Sequence, residues 1–166
     1  DLRLPDRRNP RLRHVTPMSK KILILHNAIT GQAGADELDV LDQVEYVAEN
    51  LKILGIESYS RGIGSAFMDE IASVAADHPD FVFNLVESID NKGELNYFIP
   101  AMLNMYSIPY SGNPLEAMFL TTSKTLMGNM LRKDGIRTPL SYPPSQHTML
   151  KEGNSYIIKP VWEDGS

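Results

Sequence analysis

From Lys20 onward, short apolar runs alternate with longer stretches whose apolar residues recur at helical spacing, the pattern of βαβ units. Lys21-Ile22-Leu23-Ile24-Leu25-His26 reads as a strand buried on both faces. After the loop Asn27–Gly34, apolar residues at Leu38, Leu41, Val44, Ala48, Leu51 and Leu54 follow spacings of 3, 3, 4, 3 and 3, one face of a helix. Asp36 is placed to cap its start, Asp39 falls in its first turn, and Gly55 is placed to end it. Ile56–Tyr59 reads as a second strand, Ala66–Asp77 as a helix with Ser65 as its cap, and Phe81–Val86 as a third buried strand.

Beyond that point proline and glycine punctuate the pattern. A helix is expected within Leu95–Tyr106, where Pro100 either forces a later start or kinks it. Ile108-Pro109-Tyr110 with Ser111-Gly112 predicts a short strand and turn, and helical pieces follow at Pro114–Leu120 and Ser123–Lys133, the second ending at Gly135. Tyr142–Ser145 is a connection, and Ser155–Lys159 an apolar strand that runs into Pro160 and a Glu163-Asp164-Gly165-Ser166 loop. Met102, Met105, Met118, Met127 and Met130 are expected to pack between helices. The predicted fold class is α/β, an open and mainly parallel sheet with helices on both faces. Residues 1–19 are expected to be a leader or extension without ordered structure, 20–112 the α/β domain, and 113–166 the start of a further domain that is expected to be truncated.

Composition changes this picture in two ways. The 166 residues contain no cysteine, which excludes disulfides, thiolate zinc sites, iron–sulfur clusters and cysteine nucleophiles. The net charge of −5 is unevenly spread: residues 1–17 hold five arginines and two aspartates, +3, and the rest of the chain −8. An acidic body argues against nucleic acid as the main partner. No apolar run of 18 residues occurs, so no membrane span is expected, and the cytoplasm is the simplest compartment.

Candidate chemistry narrows by exclusion first. His14, His26, His78 and His147 show no ligand spacing, so no metal site is expected from them; His26 ends the first strand and reads as a satisfied edge histidine. The hydrolase elbow Gly-x-Ser-x-Gly and the P-loop are absent, and the loop after the first strand does not match the dinucleotide fingerprint. What remains is an ordered set: Asp36-Glu37-Leu38-Asp39-Val40, Val82-Phe83-Asn84-Leu85-Val86-Glu87, Gly93-Glu94, Ile108-Pro109-Tyr110-Ser111-Gly112, Ser123-Lys124, Gly135-Ile136-Arg137-Thr138-Pro139 and Ile157-Ile158-Lys159-Pro160 with Glu163-Asp164-Gly165-Ser166. This succession resembles the D-alanine–D-alanine ligase-like ATP-grasp family over residues 21–166.

The resemblance implies a preATP-grasp domain at 20–112 and the opening of an ATP-grasp domain at 113–166. It implies an ATP-dependent carboxylate–amine ligase that works through an acyl phosphate, with ATP and magnesium, amino-acid or peptide substrates, and a possible homodimer. Lys124, Lys159, Asp164, Gly165 and Ser166 match the family's ATP-binding positions, where two ammonium groups and a backbone nest converge on phosphates. Glu37 matches the family's ammonium-binding glutamate; an acid that favours a helix N-terminus is the structural alternative. Glu87, with Glu94 behind it, follows the third strand, on the edge where open sheets gather ligands. Gly165 stands where the family has a serine that helps position D-alanine, which favours other amino acids or a peptide as substrate. The magnesium ligands and most of the adenine pocket are expected outside this chain, which alone is expected to be inactive. A non-catalytic α/β binding module is the reading from another class.

Overall fold

The computed structural model describes residues 20–29 and 35–162, with side chains from 39 onward in the second stretch. Three parallel strands, β1 (Ile22–Asn27), β2 (Ser58–Ile63) and β3 (Phe81–Leu85), form an open sheet in the order β2-β1-β3. Ile22 of β1 is in register with Ser58 of β2 and Phe81 of β3. The strands are joined through α1 (Ala35–Ile53) and α2 (Phe67–Ala76), and β3 is followed by a 3₁₀ turn at Gly93–Leu95 and α3 (Phe98–Met105). The α/β class and the parallel sheet are as expected from the alternating pattern. Among the described residues, no helix is long and apolar enough to cross a membrane.

Central β1 is buried along Ile22–His26, so its alternate residues serve two layers. Leu23 and Leu25 join Ile63, Ile71, Val74, Val82, Ile99 and Leu103 in one core with α2 and α3. Ile22 and Ile24 are buried outside that cluster, on the alternate side of β1, and α1 lies against all three strands. The inward line of α1 differs from the one expected. Val40 is buried and Val44, Val47, Ala48 and Leu51 are half-buried, whereas Leu41 and Leu54 are 45% and 71% exposed. A three-stranded sheet gives α1 a narrow floor, and Leu54 lies in the turn beyond the helix.

Glycine ends α1 as expected. Gly55 adopts φ +71°, with Gly55 N–H donating to Lys52 O and Ile56 N–H to Leu51 O, a Schellman motif. That motif takes Ile56, so β2 begins at Ser58 rather than Ile56 and runs through Ser60, Arg61 and Gly62, whose polarity hid it. Asp36 lies inside α1, not ahead of it. Ser65 does not cap α2: the N-cap is Ala66, and Glu70 Oε2 instead accepts the Gly64 N–H at 2.8 Å. Pro100 is the third residue of α3, inside the first turn, where a missing N–H costs no helical hydrogen bond, so it starts the helix late and does not kink it.

The expected strand at Ile108–Tyr110 shrinks to one bridge, Val82 with Tyr110, because Pro109 offers only its carbonyl, which accepts Val82 N–H at 2.9 Å. Two helices follow, α4 (Leu115–Thr122) and α5 (Lys124–Lys133), and α5 closes with a second Schellman motif at Gly135. Two short 3₁₀ turns within Pro144–Met149, separated by a kink at Gln146, overlap the end of the connection expected at Tyr142–Ser145. Ser155–Lys159 is not a strand: no described segment pairs with it, and Ile157 and Ile158 are 84% and 97% exposed. Met105 and Met130 are exposed too, so the methionines are not uniformly packing residues.

Candidate functional site

Chain direction and strand order together mark one edge of the sheet. From β1 the chain goes to one neighbour, β2, and then returns past β1 to the other, β3, so the carboxyl ends of β1 and β3 form a switch point of the kind where open α/β sheets take ligands. Asn27 ends β1 there. Its Nδ2 donates to Ser88 O at 2.6 Å and to Ser88 Oγ at 3.2 Å, and its Oδ1 accepts the Glu87 N–H at 2.9 Å. Asn84 ties the next position down: its N–H donates to Ser111 Oγ at 2.9 Å, and its Oδ1 accepts Val86 N–H at 3.2 Å. Glu87 therefore stands exposed at the rim on a backbone fixed from two sides.

His26 is satisfied at the same edge. Its Nδ1 is 2.8 Å from Asn27 O, an atom that only accepts, so Nδ1 carries the proton. The ring is buried, and Gly62 on β2 lets it come close: a Cβ there would meet His26 Cε1 at 3.4 Å and Ala28 Cα at 3.0 Å. Glu94 lies half-buried in the 3₁₀ turn.

A second arrangement lies at the start of α5. Ser123 is its N-cap, with Oγ accepting Leu126 N–H at 3.3 Å, and Lys124 is the first helical residue. Lys124 N–H donates to Val161 O at 3.0 Å, which brings the Lys159–Val161 segment against the helix start. Lys124 Nζ is buried and has no hydrogen-bond partner among the described residues. An ammonium in that state is costly twice over, through lost hydration and through the positive end of the helix dipole beside it. An anion repairs both. The approach to Lys124 is anchored on the α/β body: Thr122 Oγ1 donates to Met118 O at 2.6 Å and lies 3.3 Å from buried Asn96 Oδ1, and Tyr97 meets Phe119 edge-on at 5.3 Å.

Of the residues singled out in the sequence, Lys124 and the Lys159 segment are brought together, with Lys159 itself exposed. Glu87 lies at the sheet edge, and among the described residues no hydrogen bond or ion pair joins it to Lys124. The backbone of Glu37 lies in the first turn of α1 and its side chain outside the described residues, as do Asp164, Gly165 and Ser166. Asn27, Ser88 and Asn96 were not foreseen. A signal existed for Asn27, a polar residue closing an apolar parallel strand; Ser88 and Asn96 sit in ordinary polar loop sequence. A cavity of about 630 Å³, lined by Glu45, Glu49, Lys52 and Glu57 among others, lies instead at the amino end of β2, away from both arrangements.

No model of a known protein family matches the chain. A Sinorhizobium fredii protein described as uncharacterized protein y4sG is 29% identical over 93 residues, which cover 51% of this chain and 26% of that protein. The chain thus spans about a quarter of the length of the relative it matches.

Proposed function

We propose that the chain supplies the nucleotide-approach part of an ATP-dependent carboxylate–amine ligase of the D-alanine–D-alanine ligase-like ATP-grasp kind. The observation that carries this reading is Lys124: a buried ammonium with no partner among the described residues, at a helix start, beside the Lys159–Val161 segment. Such a group fits an oligophosphate, whose charge it neutralises. The order of the motifs and the parallel sheet agree with the same reading. Residues 113–166 are on this view the opening of the ATP-grasp domain, with Asp164, Gly165 and Ser166 as a phosphate nest.

The reaction joins a carboxylate to an amine. A substrate carboxylate oxygen attacks the γ-phosphorus and displaces ADP; the amine of the second substrate then attacks the acyl carbon and expels phosphate, losing a proton. Lys124 and Lys159 hold the phosphates while Glu87 and Glu37 serve the amino-acid side. Magnesium, when bound, supplies charge neutralisation between phosphates. Among the described residues no group of three acidic or histidine side chains is placed to hold it, so no step here is routed through it.

Thermal unfolding with ATP and magnesium tests the reading. A ligand at a hundredfold excess over its Kd stabilises by about 2.7 kcal/mol, a rise of roughly 5–10 °C for a protein of this size. That rise is expected with ATP and not with adenosine. An unchanged Tm at millimolar ATP overturns the proposal.

A further inference from the structure

Asn27 spends three of its amide's four hydrogen-bonding positions on two successive residues about sixty positions along the chain. The orientation of that amide is fixed by its partners, because the Glu87 N–H only donates and the Ser88 carbonyl only accepts. The loop is held again just beyond. Ile89 is buried and exchanges two hydrogen bonds with Lys92, 3.2 and 3.0 Å, across Asp90 and Asn91. Those two residues have φ of +53° and +55°, as a two-residue hairpin turn of the primed type requires. Glu87 is thus carried on a loop clamped at both ends, at the carboxyl edge of β1 and β3, with its side chain exposed.

We infer that Asn27 is a positioning residue: by fixing the Glu87 N–H and the Ser88 carbonyl, it aims the Glu87 carboxylate to receive the ammonium group of the amino-acid or peptide substrate. The inference rests on the ligase reading above. An exposed carboxylate on a mobile backbone gains little from an ion pair, since ordering it offsets the attraction; a carboxylate whose backbone is already fixed keeps more of that gain. Alanine at 27 frees both backbone groups. Aspartate keeps an acceptor for the Glu87 N–H but faces the Ser88 carbonyl with a negative oxygen.

Phosphate release by the whole protein, with ATP, magnesium and each of a panel of L-amino acids, D-alanine and L-alanyl-L-alanine, identifies the best-accepted member as the probe. For that probe, Asn27→Ala and Glu87→Gln each raise KM about tenfold, as expected for loss of a charge-assisted contact, and leave the KM for ATP within about twofold. The double variant is no worse than either single one, because the two residues act as a unit. Asn27→Asp keeps slow amide exchange at Glu87 but is repelled by the Ser88 carbonyl, so its amino-acid KM is expected between those of the unaltered protein and Asn27→Ala, and it serves where Asn27→Ala does not fold. An unchanged amino-acid KM, an equal loss for ATP, additive effects, or Asn27→Asp as weak as alanine overturns the inference. Absence of ATP-induced stabilisation in the unaltered protein sinks the ligase reading and this inference with it. Stabilisation by ATP without phosphate release for any panel member sinks the inference alone.

Discussion

At the carboxyl edge of the sheet, Asn27, Asn84 and His26 each find partners within 3.2 Å, and the loop they hold is buried at Ile89. Farther along the chain, the Lys124 ammonium is buried without one among the described residues, and Ile157 and Ile158 lie in solvent. The first region has the bookkeeping of a finished core, where buried polar groups are paired and apolar ones covered. The second has both signs reversed. A group left unpaired inside a protein costs about 1–3 kcal/mol, more when charged, so it persists where something else supplies the missing partner. The sheet edge is preorganised; the α5 start holds a buried charge without a partner among the described residues.

The largest expected effect breaks this contrast at Lys124. Lys124→Met removes a buried cation beside a positive helix end and replaces it with an apolar stem of similar length. Without nucleotide, the variant is expected to unfold at higher temperature, by about 1 kcal/mol of added stability. With ATP and magnesium, the stabilisation expected of the unaltered protein is expected to be absent. A stabilised variant that still responds fully to ATP moves the phosphate site away from α5; a destabilised one means that the ammonium has a partner already.

The sequence made the two regions legible to different degrees, for physical reasons. β1 announced itself because a central parallel strand is apolar on both faces; β3, expected to be buried, is an edge strand buried only at Val82, and it was legible through its Phe81-Val82-Phe83 run. Gly55 and Gly135 marked helix ends because their φ values of +71° and +80° suit glycine, while Ser107, at +56° after α3, gave no such mark. β2 was displaced, since an edge strand with Ser60, Arg61 and Gly62 carries no apolar run. Ser155–Lys159 has the composition of a strand, but a strand is made by its neighbour, and no described segment supplies one. Lys124 stood out only through its motif; that its ammonium is buried without a partner among the described residues is a fact of tertiary packing, which no local pattern encodes.

A smaller effect sharpens the contrast from the other side. Asn27→Ala leaves the Glu87 N–H and the Ser88 carbonyl to find water, and the stability lost is expected to be about 2 kcal/mol, three modest hydrogen bonds less what rehydration returns. Chemical denaturation with an unchanged m-value checks it. A loss below about 0.5 kcal/mol means that the latch is solvated and that the sheet edge is not the preorganised region described above.

The smallest effect asks whether an orphaned polar atom by itself marks a ligand site. Tyr59 on β2 has a buried hydroxyl with no partner among the described residues, far in role from any candidate chemistry. Lys21 Nζ lies 5.3 Å from its ring centroid and donates to Asp77 O at 2.9 Å, while Arg61 pairs with Asp77 at 2.6 Å. Burial first, and then the Asp77 carboxylate, push the Tyr59 hydroxyl above its ordinary value of 10.0, against the pull of Arg61. The folded chain therefore holds this proton more tightly than the unfolded one, so its contribution is fully present below pH 10 and is lost as pH rises from there through the raised folded value. Tyr59→Phe keeps the ring under Lys21 and removes the orphaned hydroxyl. It is expected to gain about 0.5 kcal/mol at pH 7, to flatten the alkaline fall in stability, and to leave the ATP-induced shift untouched. Loss of that shift in Tyr59→Phe erases the distinction, for then an unpaired buried atom in the body matters to nucleotide as much as Lys124 does.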